Sequence, residues 1–165
     1  MRAVAVVGFI LIILPLLVLA AGQFGWFSGQ APNDLGVHDG KLKAPSRTDN
    51  SVSSQATLWP EGAHASQYAQ ISPLATGGNA AAVMSRLRTV LAAWPGARIV
   101  EDRTDYLRVE FTTRWLRFVD DAEFWLDPGT NVIQVRSASR LGRKDFGVNR
   151  TRIEAIRARL NTAGT

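Results

Sequence analysis

The chain opens on twenty consecutive uncharged residues, Ala3 to Gly22, behind a single Arg2. A helix of that length spans about 30 Å at 1.5 Å per residue, the thickness of a bilayer's hydrocarbon core. The segment constrains everything after it because it sets the compartment. The next basic residue after Arg2 is Lys41, so the positive-inside rule holds the N-terminus in the cytoplasm and carries the rest across. The reading is a single-pass anchor in the cell membrane, 1–22, with the domain on the periplasmic or external side. A cleaved signal is the alternative, since Val18-Leu19-Ala20 and Ala20-Ala21-Gly22 both fit a small-residue cleavage site. Two features favour retention. The run exceeds the usual apolar stretch of about 7–15 residues, and Phe24, Trp26 and Phe27 follow at once, as interfacial aromatics do. Pro15 is compatible with a membrane helix. The absence of cysteine excludes lipoprotein processing, disulfides and thiol chemistry.

Removing 22 residues from 165 leaves 143, enough for one domain with a real core and too few for two. Residues 23–57 are rich in Gly, Ser, Asn, Asp and Pro and lack a sustained apolar period, so they read as a linker with extended segments. The domain is expected over 58–165, entered through an extended stretch at 58–77 that half-buries Ile71 and Leu74. Val83, Leu87, Val90, Leu91 and Trp94 then fall on one helical face from Ala80 to Trp94, with Asn79 as cap and Pro95-Gly96 as stop.

Strand patterns follow. Ala97 to Glu101 is a short candidate, and Tyr106 to Thr112 alternates with Leu107, Val109 and Phe111 on one face. Leu116 to Leu126 turns Leu116, Phe118, Ala122, Phe124 and Leu126 inward, and Val132 to Ser139 turns Ile133 and Val135 inward. The turn signal Asp127-Pro128-Gly129-Thr130 separates the last two. A flanking pair Leu126–Asn131 sets Phe124 opposite Ile133, Ala122 opposite Val135 and Asp121 opposite Arg136 on the outer face. A final helix begins near Arg150, capped by Asn149, with Val148 and Ile153 placed as a hydrophobic staple and Ile153, Ile156 and Leu160 as its buried stripe. The pattern predicts a two-layer α+β domain: an antiparallel sheet of about four strands with two amphipathic helices on one face.

The net charge of +5 is uneven: residues 136–159 hold eight basic and two acidic side chains. A basic patch often meets nucleic acid, but the compartment argues against that partner. Anionic lipid, an acidic envelope polymer or another envelope protein suits the same electrostatics, and a solvated helix face needs no partner. His38 and His64 lack a ligand pattern, so no metal or cofactor is expected, and Ser51, Ser53 and Ser54 read as solvated linker serines. No nucleophile elbow or phosphate-binding glycine loop is present.

Two sets of residues could carry chemistry. Asp120, Asp121 and Glu123 form a carboxylate cluster on one strand. The strand period points Asp120 with the apolar face and Asp121 and Glu123 away from it. An Asp121–Arg136 cross-strand ion pair, worth a few tenths to about 1 kcal/mol, explains the cluster without a ligand. The second set is Arg136 to Arg150, where the backbone N–H groups of a helix start, with Ser139, Arg140 and Arg150 nearby, could hold an anion. The structural alternative is a self-locked loop, with Asp145 paired to Arg140 or Arg150 and Asn149 as cap.

Asp105-Tyr106-Leu107-Arg108-Val109-Glu110-Phe111, Phe118-Val119-Asp120-Asp121-Ala122-Glu123-Phe124 and Arg136-Ser137-Ala138-Ser139-Arg140, with Gly142, Asp145, Gly147, Asn149 and Arg150, resemble the family called domain of unknown function 1499. Asn50 to Ser54 and Ile71 to Leu74 also fit, and the likeness runs over roughly 36–160. The resemblance implies a bacterial envelope or plastid setting and no established activity. Relatives tend to carry two cysteines where this chain has Ala44 and Ser51, which speaks against a thiol mechanism here. The functional expectation is a non-catalytic binding or structural domain at a membrane or anionic surface. The alternative is a hydrolase-like enzyme using Asp120 or Asp121 with arginines of the 136–150 loop, which requires those groups to share one concavity.

Overall fold

The computed structural model describes residues 2–59 and 67–162. The apolar run forms helix α1 (Arg2–Gln23), with Pro15 inside it. Two short pairs of strand residues, β1 (Val37–His38) and β2 (Lys41–Leu42), make a small hairpin. Then come β3 (Ser51–Ser53), a single 3-10 turn at Ala56–Leu58, and β4 (Leu74–Ala75). Helix α2 (Ala80–Ala92) precedes four long strands: β5 (Ala97–Asp102), β6 (Tyr106–Thr112), β7 (Val119–Asp127) and β8 (Val132–Ser139). Helix α3 (Val148–Thr162) closes the chain.

The architecture is α+β, with an antiparallel sheet ordered β3-β8-β7-β6-β5 and β4 beside β3 on the free edge of β8. It has six strands rather than four, because β3 and β4 come from stretches whose sequence shows no strand period. Asn79 caps α2 by accepting the N–H of Ala82, as its residue type requires. Val83, Leu87 and Leu91 of α2 and Ile153, Ile156 and Leu160 of α3 are buried against Leu107, Val109, Phe111, Phe124, Ile133 and Val135. Ile71 and Leu74 are buried rather than half-buried.

The β7–β8 register differs from expectation. Asp127 pairs with Val132, Phe124 with Val135, and Glu123 with Arg136, while Asp121 faces Ala138. Asn131 at φ +53 closes the turn with its N–H on the Asp127 carbonyl, which keeps Asp127 in the ladder. β7 runs one residue further than expected while β8 starts at Val132 as expected, so the turn moves by one residue and the pairing by two, and every side chain keeps its face.

The second face of the sheet is covered as well. Residues 37–57, read as linker, are built into the domain. Leu42 lies fully buried with Tyr106 and Trp125, with Val37 against them, and Ser51 and Ser53 are buried in the sheet edge. Ser54 bonds to Gln134 and Val135 of β8. These serines serve structure, not solvation. In the last turn of α1, Gly22 packs on the backbone of Leu116, where a Cβ would come within 2.8 Å of its carbonyl oxygen.

Candidate functional site

At one end of the sheet the helix-side face changes from apolar to polar. Asp120, Ser137 and Ser139 continue the inward rows of β7 and β8 beyond Ala122 and Val135. Asn149 and Arg152 of α3, one helical turn apart, descend onto them. Arg152 donates to Asp120 at 2.6 Å and to Asn149 at 3.0 Å, and its guanidinium lies over the Phe111 ring. Asn149 is fully buried. It accepts from Ser137 and donates to Ser139, to Asp145 and to the carbonyl of Asn50. Asn50 in turn donates to the carbonyl of Gly142. Asn149 is therefore a buried organiser of the loop and not the expected cap. Val148 already lies inside the helix and is half exposed, so the staple with Ile153 does not form.

The capping group is Asp145. Its carboxylate accepts from the N–H of Gly147 and of Asn149, and from the Tyr68 hydroxyl. An anion at a helix start is favoured by the dipole and the free N–H groups; here the chain supplies its own. Neither Arg140 nor Arg150 pairs with Asp145. Burial alone would raise the Asp145 carboxyl, but the bonds from Tyr68, Gly147 and Asn149 outweigh it and hold the carboxyl below its ordinary range.

The opposite face holds a separate ionic network. Arg140 grips Asp121 through two bonds at 2.7 and 2.8 Å and Glu110 through one at 2.6 Å. Arg136 pairs with Glu123 at 3.5 Å and donates to the carbonyl of Ala44. Glu123 is fully buried and also accepts from Tyr106 and from the N–H of Gly36. Burial and the Glu123 charge push the Tyr106 phenol well above its usual range, while burial lowers the Arg136 guanidinium. The expected Asp121–Arg136 surface pair is thus replaced by two buried ones, because the register moves and the N-terminal segment covers the face.

Of the residues named from the sequence, Asp120, Ser139, Asp145 and Asn149 converge on the helix side. Asp121 and Arg140 meet on the other face, where Arg136 belongs to Glu123. Arg150 leaves the group and donates to the carbonyl of Tyr68. Sequence reasoning missed Arg152, Glu110, Tyr106, Asn50 and Tyr68. Arg152, three residues after Asn149 on the same helical side, carried a usable signal; Asn50 and Tyr68 carried none.

An open cleft of about 270 Å³ lies beside the helix-side cluster, lined by Thr113, Phe118, Asp120, Ser139, Leu141, Gly142, Lys144, Asp145, Phe146 and Val148. Neither Arg140 nor Arg150 lines it. Each carboxylate of the two clusters has an arginine or hydroxyl partner. Among the described residues no group of three or more His, Asp or Glu side chains could hold a metal. His38 is exposed; His64 lies outside the described residues.

The sequence profile described as "Protein of unknown function (DUF1499)" matches residues 41–160, from β2 to the last turn of α3. The chain belongs to the DUF1499 family. No match to it was found among curated proteins or solved structures. The DUF1499 match takes in β2 and β3, and with them Leu42 and Ala44 of the segment that covers the ionic face; β1 and Gly36 precede it.

Proposed function

We propose that this DUF1499 chain is a membrane-anchored envelope domain with a binding or structural role at a membrane or anionic surface, without chemistry of its own. The observation that carries the reading is the occupancy of its charged groups. Asp120, Asp121, Glu123 and Asp145 are all spent on holding the fold, and a group that must take or give a proton or bind a substrate needs a free face. The anchor is supported by α1, whose segment Val6–Gln23 is long and apolar enough to cross a bilayer. The chain that leaves the span docks on the domain: Gln23 donates to the carbonyls of Arg114 and Trp115, and Phe27 stacks on Phe118.

The test is mass spectrometry of the protein from the membrane fraction of a bacterial host, with protease treatment of spheroplasts. An intact α1 and a domain digested from outside are expected. A mature chain beginning at Ala21, Gly22 or Gln23, or a domain shielded in the cytoplasm, would overturn the reading.

A further inference from the structure

Two loops flank the cleft; the first meets the end of α1 and the second meets the chain at Gly29, a few residues after it. The first, 113–118, carries Trp115, 62% exposed, with the Arg114 guanidinium over its ring. The second, 140–147, carries Leu141, 41% exposed, and Phe146, 94% exposed. Among the described residues the most exposed large apolar side chain is therefore displayed on the second loop.

Phe146 does not project by default. Its backbone sits at φ +53 and that of Gly147 at φ +82. A left-handed conformation is unfavourable for a bulky residue and persists only where the surroundings over-determine it. Here they do. Before the bend the Asp145 N–H is tied to the Asp49 carbonyl, and the Asp145 carboxylate reaches across it to the N–H groups of Gly147 and Asn149. The buried polar cluster is a clamp that forces an aromatic ring outward.

The direction of that display is set by α1. Its last residue, Gln23, donates at 2.8 Å to the carbonyl of Trp115, and Gly22 lies against Leu116. Gly29 packs on Arg140 and Leu141. Both loops therefore stand at the level where the apolar helix ends, with exposed Phe24 and Trp26. Arg114, Arg117, Arg143 and Lys144 are exposed on the same loops. The one acidic residue there, Asp145, is buried. Aromatic rings with flanking cations are the composition that settles at the headgroup and acyl boundary of an anionic bilayer.

We infer that the face built by loops 113–118 and 140–147 is seated in the interfacial layer of the same bilayer that α1 crosses, with Trp115 and Phe146 as its inserted rings. The inference rests on the anchored reading and adds a fixed domain orientation, the cleft opening at headgroup level.

The cysteine-free chain makes the test direct. Leu14→Cys, Thr104→Cys, Trp115→Cys and Phe146→Cys, each in the full chain, are spin-labelled and reconstituted in phosphatidylethanolamine–phosphatidylglycerol vesicles. Collision with oxygen is then compared with collision with a water-soluble nickel chelate. Leu14, within α1, is the hydrocarbon reference. Thr104, exposed at the opposite end of the sheet, is the aqueous one. Labels at 115 and 146 are expected to show a several-fold higher oxygen-to-nickel ratio than at 104. Ratios at 115 and 146 equal to that at 104, with Leu14 in lipid, would overturn the inference and leave the anchor standing. An aqueous Leu14 would remove both.

Discussion

On its helix side the sheet buries Phe124, Ile133 and Val135 beneath α2 and α3, whereas on its other side the same strands bury Glu123 and Arg136 beneath the chain from Gly36 to Ala44, and Asp121 with Arg140 beside them. Glu123 and Phe124 are sequence neighbours, both fully buried, and they illustrate two kinds of interior. Apolar burial is non-directional and tolerates register shifts that keep parity. Ionic burial is directional: each charge removed from water must meet its partner, or the cost is severe.

The sharpest test is to remove the two neighbours in turn. Phe124→Ala should cost about 3–5 kcal/mol through lost packing. Glu123→Ala should cost a similar amount, about 3–5 kcal/mol, by stranding Arg136 and the Tyr106 hydroxyl. Both are read by chemical denaturation. The two should then part company on rescue. A Glu123→Met, Arg136→Met pair should return to within about 2 kcal/mol of the wild type, since apolar replacement of a whole buried pair is often near neutral. If the pair is no better than Glu123→Ala alone, the second face is held by something other than that ion pair.

Smaller effects probe the clamp. Asp145→Ala leaves two backbone N–H groups and the Tyr68 hydroxyl without their acceptor and should cost about 1–3 kcal/mol. The carboxyl is depressed in the fold, so its contribution is present above the ordinary Asp value of about 4 and is lost as pH falls through the folded value. Thermal melts should show a steeper acid limb in the wild type than in Asp145→Asn. The smallest effect has the opposite sign. Phe146→Gly should raise stability by about 1 kcal/mol, because glycine adopts the left-handed conformation without strain. An unchanged or lower melting temperature would show that the Phe146 ring contributes packing its exposure hides.

The helix-side face was legible because its signal is local: Val83, Leu87 and Leu91, or Leu107, Val109 and Phe111, announce their common face by spacing alone. The ionic face was not, because what covers it lies far away in the chain. Residues 36–46 offer Val37, Leu42 and Pro45 as their larger apolar contacts, with no strand or helix period, too little to read as an element. A signal did exist on the strands. Tyr106 and Trp125, cross-strand partners, occupy outward positions, and two facing aromatics there call for a cover. The loop at 140–147 stood out by its density of special residues. That Asp145 would bond Tyr68 rather than an arginine depended on a segment with no sequence mark.

The edge strand β3 also sets a schedule. Ser54 and its partner Val135 are 81 residues apart, and β3 has no other long partner in the sheet. At a synthesis rate of about 5–20 residues per second, the first part of the domain waits roughly 4–16 seconds before its seat exists. During that interval Glu123, once made, lacks its later-made partner Arg136, and the hairpin at 37–42 has nothing to cover. The domain is therefore completed from its last strand backwards. A chain truncated before β8 should stay open to protease even though most of its residues are present.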